Sequence, residues 1–408
     1  MLNQPERACL VIADISGYTS YLAGTELDHA QDVLADLMEV VIGRFQPVLR
    51  LAKLEGDAIF TYAPEAEVDG SMLLDVMEGV YFAFQRRVQS IKRGTTCQCN
   101  ACVLIPRLNL KFCVHDGSFV RQRIAGHEEL AGRDVILVHR LLKNSVSETR
   151  GLHGYALLTA ATVEALKIDP AAAGMAPHQE TYEHIGTVEG FVHDLEARWK
   201  HVQETRQEFL PAKEADFTVR ADIPGPPTLA WTYLTTPAGY SDVDPDITRR
   251  EEHGEGRRGV GTATHCMHGD GSSHMEEILE WRPFEDFTYF IKDPDMGLIR
   301  VTVELTPADG STRVRYSARM ESLEVREMMA DPERRASLEE AGKQYVAMLE
   351  QWFAAVREAA GRALTERRQE LEEAERARTA LAETAAHYWQ TRENWVQAPT
   401  GSPSASTS

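Results

Sequence analysis

Two aspartates stand where hard-cation chemistry can be built. Asp14 ends the apolar run RACLVIADI, and Asp57 falls in the Gly56-Asp57 turn of KLEGDAIF. Carboxylates at a strand end and an adjacent hairpin turn can chelate Mg²⁺ or Mn²⁺. Such ions take oxygen ligands and bridge triphosphate oxygens, and a pair of them can stabilise the attacking and leaving oxygens of an in-line displacement. Each aspartate alone reads first as a turn former. A second group is soft rather than hard: Cys97, Cys99 and Cys102 lie within TTCQCNAC, and Cys113 follows in the next strand. Thiolates so spaced suit Zn²⁺ or an iron–sulfur cluster. A structural zinc needs four ligands, so Cys113 or His115 would supply the fourth. A redox or free-thiol loop is the other reading, as is a Cys113 that points into the core. A third group is THCMHGDGSSH, with His265, Cys266, His268 and His274. In a strand Thr264, Cys266 and His268 share one face and His265 the other, so His265 and His268 would not chelate together. Cavity-lining polar groups or a turn are the expectation there, a metal is the lesser alternative, and His268 is available as a general acid or base.

The elements that must hold these residues are legible in outline. Residues 7–15 predict a buried strand and 20–46 a helix with apolar residues on a helical period. LRLAKLEGDAIFTYA predicts a hairpin, and Gly70 to Lys92 a second helix. LKFCVHDGSFVRQRIAG reads as strand, turn, strand, and GRDVILVHRLLKNS opens a helix. YALLTAATVEAL gives a strand and short helix, and YEHIGTVEGFVHDLEARW two closing strands. From residue 216 the pattern changes to a short helix in TLAWTYLTTPAGYSD and then five or six consecutive strands separated by Gly, Pro and Asp turns. A long helix is predicted from about Glu333 through Ala360.

The order ADISGYTSYL, KLEGDAIF, HDGSFV, GRDVILVHRL, GYALLTAATVEAL and a closing hairpin resembles the catalytic domain of class III adenylate and guanylate cyclases over residues 7–198. The resemblance implies that Asp14 and Asp57 are the metal aspartates, that Lys53 and Glu129 read the purine, and that Arg140 stabilises the phosphoryl transition state. It also implies a site shared between two chains, hence a homodimer, or a heterodimer whose partner supplies a donor this chain lacks. The helix departs from the pattern where the family's catalytic asparagine would fall. That position is Ile136, which has no donor. The cysteine loop is absent from ordinary cyclase domains but is similar to that of a bacterial family of uncharacterised cyclase-like proteins. Residues 215–360, through IPGPPTLAWTYLTTPAGYSD, GRRGVGTATHCMHG and EEILEWRPFEDFTYFI, resemble the START-like polyketide cyclase/dehydrase (SRPBCC) superfamily. That helix-grip fold encloses an apolar ligand cavity. Trp231, Tyr233, His268, Trp281, Tyr289 and Trp352 are its candidate lining; ordinary core aromatics are the alternative reading for the rings.

The expected architecture is therefore α+β: a ferredoxin-like cyclase sandwich over 1–200, a linker at 201–215, a START-like domain over 216–360, a charged helix over 361–394 and a disordered tail over 395–408. A length of 408 residues fits two such domains. The balance of 43 basic against 63 acidic residues gives −20, which excludes a general binder of nucleic acid or anionic membrane. A local phosphate site working through cations is compatible with it. No apolar run reaches about 18 residues, so no membrane span is expected, and six cysteines form no disulfide framework, which predicts a reducing cytoplasm. The expected partners are a nucleoside triphosphate and a small hydrophobic ligand. The functional expectation is a divergent nucleotidyl cyclase, or a nucleotide-binding protein derived from one, under ligand control. The alternative is a non-catalytic ligand-binding regulator whose cyclase-like half only dimerises. A third idea is a true cyclase/dehydrase acting on a polyketide-like substrate in the second domain.

Overall fold

A computed structural model describes the chain except residues 1–3, 24, 26, 65–66, 95–99, 125–126, 205–207, 254–255, 294–296, 322–339, 341 and 370–408. The fold is mixed α+β, built on two sheets. Strands β1 (Glu6–Ser16), β2 (Arg50–Glu55), β3 (Ala58–Pro64), β4 (Asn109–Ile124), β5 (His127–Ala131), β6 (Tyr155–Thr159), β7 (Ala176–Tyr182) and β8 (Gly186–Asp194) make the first, in the order β2-β3-β1-β4-β6-β8-β7, with β5 paired to β4. Its helices are α1 (Tyr18–Ala23), α2 (Leu27–Phe45), α3 (Gly70–Gly94), α4 (Asn100–Leu104), α5 (Arg133–Arg140), α6 (Val146–Arg150), α7 (Ala160–Ala165) and α8 (Leu195–Glu204).

The central strand β1 is apolar without alternation because both its faces are covered. Cys9, Val11, Ala13 and Ile15 enter the core shared with α2 and α3, while Ala8, Leu10 and Ile12 enter a second core with Val135 and Val138 of α5. The predicted turn in HDGSFV does not exist: β4 runs unbroken through it for 16 residues. Gly117 is there for clearance. A Cβ on it would lie 2.5 Å from Asp134, whose Oδ2 accepts the Ser118 N–H at 2.7 Å.

The second sheet is antiparallel throughout, in the order β10 (Thr248–Glu252), β11 (Ala263–Met267), β12 (Ser273–Arg282), β13 (Asp286–Asp293), β14 (Gly297–Ala308), β15 (Ser311–Met320) and then β9 (Phe217–Pro224). Helices α9 (Pro227–Thr235) and α10 (Pro237–Val243) follow β9. A C-terminal helix over 342–369 packs against the sheet, Tyr345 meeting Phe217. Leu349, Phe353, Val356 and Ala360 form its buried stripe, a helical period, with Phe353 edge-on to Tyr316. The rest of the expected charged helix and the tail lie outside the described residues.

The two halves share one apolar core. Phe284, in the β12–β13 turn, seats against Gly79 of α3, where a Cβ would lie 2.6 Å from its ring. Beside it, Asp75 and Glu78 of α3 are buried with Arg257 and Trp281. Trp281 Nε1 donates to Asp75 at 2.9 Å, and Arg257 donates to Glu78 at 2.7 Å. Burial alone would raise Glu78, but Arg257, Arg198 and His193 hold it well below the ordinary carboxylate range. No helix among the described residues is long and apolar enough to cross a membrane.

Candidate functional site

Asp14 and Asp57 come together at one end of the first sheet. The β1–β3 register sets Asp14 opposite Ala58, and the Ile15 N–H donates to the Asp57 carbonyl at 3.3 Å. Burial, and next the charge of Asp14, raise the Asp57 carboxyl above its ordinary value, while Lys111 opposes the rise. One cation is built in. Lys111 of β4 is the cross-strand partner of Asp14, and its Nζ lies 3.1 Å from Asp14 Oδ2. Burial works against the Lys111 charge, but Asp14 holds its pKa above the ordinary lysine value. Sequence reasoning missed this residue.

Lys53 and Glu129, far apart in sequence, meet across β2 and β5: Lys53 Nζ donates to the two Glu129 oxygens at 3.0 and 3.2 Å. That hydrogen bond raises the lysine's pKa. Glu55 lies 3.9 Å from the same ammonium and accepts from His139 Nε2 at 3.0 Å, which ties α5 to the hairpin. Arg140 and Ile136 stand one turn apart on the exposed side of α5, and Ile136 is 57% exposed. Leu54 of β2 is also exposed. No described residue makes a hydrogen bond or ion pair with Arg140. Within one chain, then, the carboxylate pair and the Lys53–Glu129 pair are assembled, while Arg140 faces outward.

The sulfur group is not brought together among the described residues. Cys97 and Cys99 lie outside them, and Cys102 is placed on α4 by its backbone alone. Cys113 is wholly buried in β4, packed in the core with Ile12 and Leu157, and burial pushes its thiol up to about 12. His115, the alternative fourth ligand, is engaged elsewhere: its Nδ1 lies 2.9 Å from Thr159 Oγ1 and its Nε2 3.6 Å from Asp134.

In the second half a cavity of about 380 Å³ opens between the sheet and the C-terminal helix. His268, Tyr289 and Trp352 line it as expected, together with Cys266, His274 and Tyr345. Three of the six expected lining residues do not. Trp231 is fully buried against Trp281, Phe284 and Phe287, Trp281 points to Asp75, and the Tyr233 hydroxyl donates to the Ala359 carbonyl at 3.3 Å. Trp231 and Tyr233 belong to α9, which is buried along most of its length, so they became core, and Trp281 of β12 is taken up by Asp75 of α3. A wider groove of about 880 Å³ runs between the halves, lined by Cys9, Val68, Met72, Leu229 and Arg367 among others, and it shares no lining residue with either cluster.

Against this geometry, residues 214–361 match the family described as polyketide cyclase / dehydrase and lipid transport. Residues 34–150, which span the cysteine loop, match a family described as a protein of unknown function, DUF2652. The uncharacterized protein Rv2561/Rv2562 of Mycobacterium tuberculosis (strain ATCC 25618 / H37Rv) is 40% identical over 113 residues, 28% of this chain and 52% of that protein. The chain thus spans about half the length of the curated relative it matches. Among solved structures, a bacterial light-regulated adenylyl cyclase aligns at 9% identity and TM-score 0.37 over 48% of this chain and 54% of its own. Protein MLL2253 from Mesorhizobium loti aligns at 20% identity and TM-score 0.28 over 36% of this chain and 98% of its own.

Proposed function

We propose that this chain is a divergent nucleotidyl cyclase, or a nucleotide-binding protein derived from one, controlled by a small apolar ligand in its second half. The Asp14–Asp57 pair carries the reading. Its donors are all oxygen, and two carboxylates share the space with one ammonium, that of Lys111; both properties fit Mg²⁺ or Mn²⁺. Bound there, the ion would supply charge neutralisation at the phosphates. Lys53 would donate to a purine ring acceptor, Glu129 would accept from an exocyclic amine, and Arg140, from a second copy of the chain, would meet the phosphates with its fork. The exposed Leu54 and Ile136 suit such a two-copy site. Ile136 places no donor where the family holds one, and loss of one oriented donor costs about 10²–10³ in rate, so slow turnover or binding alone is expected. The test is nucleotide titration with Mn²⁺ of the full chain and of Asp57→Ala. Absence of metal-dependent nucleotide binding in the unaltered protein would sink both the enzymatic and the binding versions.

Ile136, and a Lys111 ammonium already seated on Asp14, favour a second reading: a non-catalytic regulator that binds an apolar molecule and dimerises through its first half. Native mass spectrometry separates the two. A co-purified apolar ligand without nucleotide affinity supports the regulator; an empty cavity with tight ATP binding counts against it.

A further inference from the structure

The cavity of the second half has one wall unlike the rest. Strands β11 and β12 pair so that Cys266 lies directly opposite His274. His268 follows Cys266 by two residues, on the same face, where a tight turn closes the hairpin: the His268 N–H donates to Ser272 O and the Gly271 N–H to His268 O, each at 3.0 Å. Cys266 Sγ and one ring nitrogen from each histidine lie within 4.8 Å of one another. His268 Nε2 and His274 Nδ1 are 3.3 Å apart. Two imidazole nitrogens bound to one tetrahedral zinc at about 2.0–2.1 Å stand about 3.3 Å from each other, so this pair is already at ligand spacing.

The surroundings orient the donors. His274 Nε2 meets Glu276 Oε1 at 3.1 Å. A carboxylate on the far nitrogen fixes the tautomer whose Nδ1 lone pair points back at His268, the arrangement that supports metal-bound imidazoles. Glu276 is itself held by the buried guanidinium of Arg249. The three donors face a space walled by apolar side chains, Ile247, Ile291, Leu349 and Trp352 among them, and by the rings of Tyr289 and Tyr345, with Asp244 and Gln351 also on its lining. Three protein ligands beside a cavity is the composition of a zinc site with an open position, whereas structural sites close with four.

We propose that Cys266, His268 and His274 bind Zn²⁺, with the fourth position open to the cavity, and that the cavity takes an apolar molecule whose anionic oxygen completes the coordination. On binding, Cys266 releases its thiol proton to solvent. The site is independent of the nucleotide reading and of the cysteine loop.

The test uses the full chain carrying Cys97→Ser, Cys99→Ser and Cys102→Ser, so that loop thiols cannot contribute. Co²⁺ serves as a spectroscopic zinc substitute. The expected result is about one equivalent bound, with intense four-coordinate visible bands and a thiolate-to-cobalt charge-transfer band. Cys266→Ser removes the charge-transfer band, and His268→Ala removes stoichiometric binding. Sodium azide, a small anion that can enter the cavity, shifts the visible bands. No stoichiometric uptake, or a spectrum unchanged by Cys266→Ser, overturns the site; visible bands indifferent to azide overturn the open position. Should His268→Ala fail to fold, the near-isosteric Cys266→Ser decides by itself.

Discussion

Lys111 decides how the aspartate pair behaves. Its ammonium neutralises Asp14 and stands where a second cation would otherwise be attracted. Removing a positive charge beside a dication site favours the ion by Coulombic repulsion relieved, even after solvent screening. Lys111→Met is therefore expected to strengthen Mn²⁺ binding about tenfold, read by electron paramagnetic resonance titration; an unchanged affinity would remove Lys111 from the account. In contrast, Lys53→Ala should leave Mn²⁺ affinity unaltered and weaken nucleotide binding, a split visible by calorimetry with metal alone and with metal plus nucleotide. Asp14, Asp57, Lys53 and Glu129 were legible because they sit in an ordered set of motifs. Lys111 was not, because its meaning lies in register: only the β1–β4 pairing reveals that it faces Asp14. The same blindness hid His274, whose relation to Cys266 is cross-strand. The sequence did show that His265 and His268 belong to opposite faces, and that alternation is what leaves Cys266 and His268 together.

Among elements, α3 does more than cover a sheet. Gly79 opens a socket for Phe284, a fully buried ring at the tip of the β12–β13 turn. Gly79→Ala puts a methyl into that ring, and overpacking of this kind costs about 1–3 kcal/mol, more than alanine's gain in helix propensity of about 1 kcal/mol returns. A lowered urea midpoint is expected, and a variant as stable as the parent would refute the socket. Periodicity alone correctly predicted α3 as a helix and could not say that a glycine on it mattered. Two other elements misled for physical reasons. HDG in β4 has the composition of a turn, yet Gly117 is required by the approach of Asp134 to the strand. Helix α9 carries Trp231 and Tyr233 in a pattern that suits a cavity wall, but it is buried along most of its length, so both became core.

Across the whole molecule, the halves are joined by charge buried in apolar surroundings. Burial, opposed by Arg257 and by the Trp281 hydrogen bond, raises Asp75 to about 7, and its Oδ2 has no hydrogen-bond partner among the described residues. Between the ordinary carboxyl value of 3.8 and about 7 the folded protein holds a proton that the unfolded chain has released. Stability from this group is thus fully present below the lower value and falls as pH rises through the higher one. Asp75→Asn keeps an acceptor for Trp281 and cannot titrate, so it should gain on the parent by a few kcal/mol as pH rises from 4.5 to 7.5, measured by urea unfolding. Equal pH slopes would rule Asp75 out. Composition and the polar stretch at 201–215 suggested two separable units, because a sequence displays its linkers and conceals its interfaces. The joint has a practical corollary for dissection by truncation. A chain cut in that stretch would bare Phe284 and leave Arg257 without its acidic partners, while its counterpart would carry Asp75 and Glu78 into water on an apolar helix. Each fragment should aggregate or be degraded when expressed alone, and soluble protein should return only on co-expression, so the assignment of ligand binding to one half or the other must come from point substitutions in the intact chain.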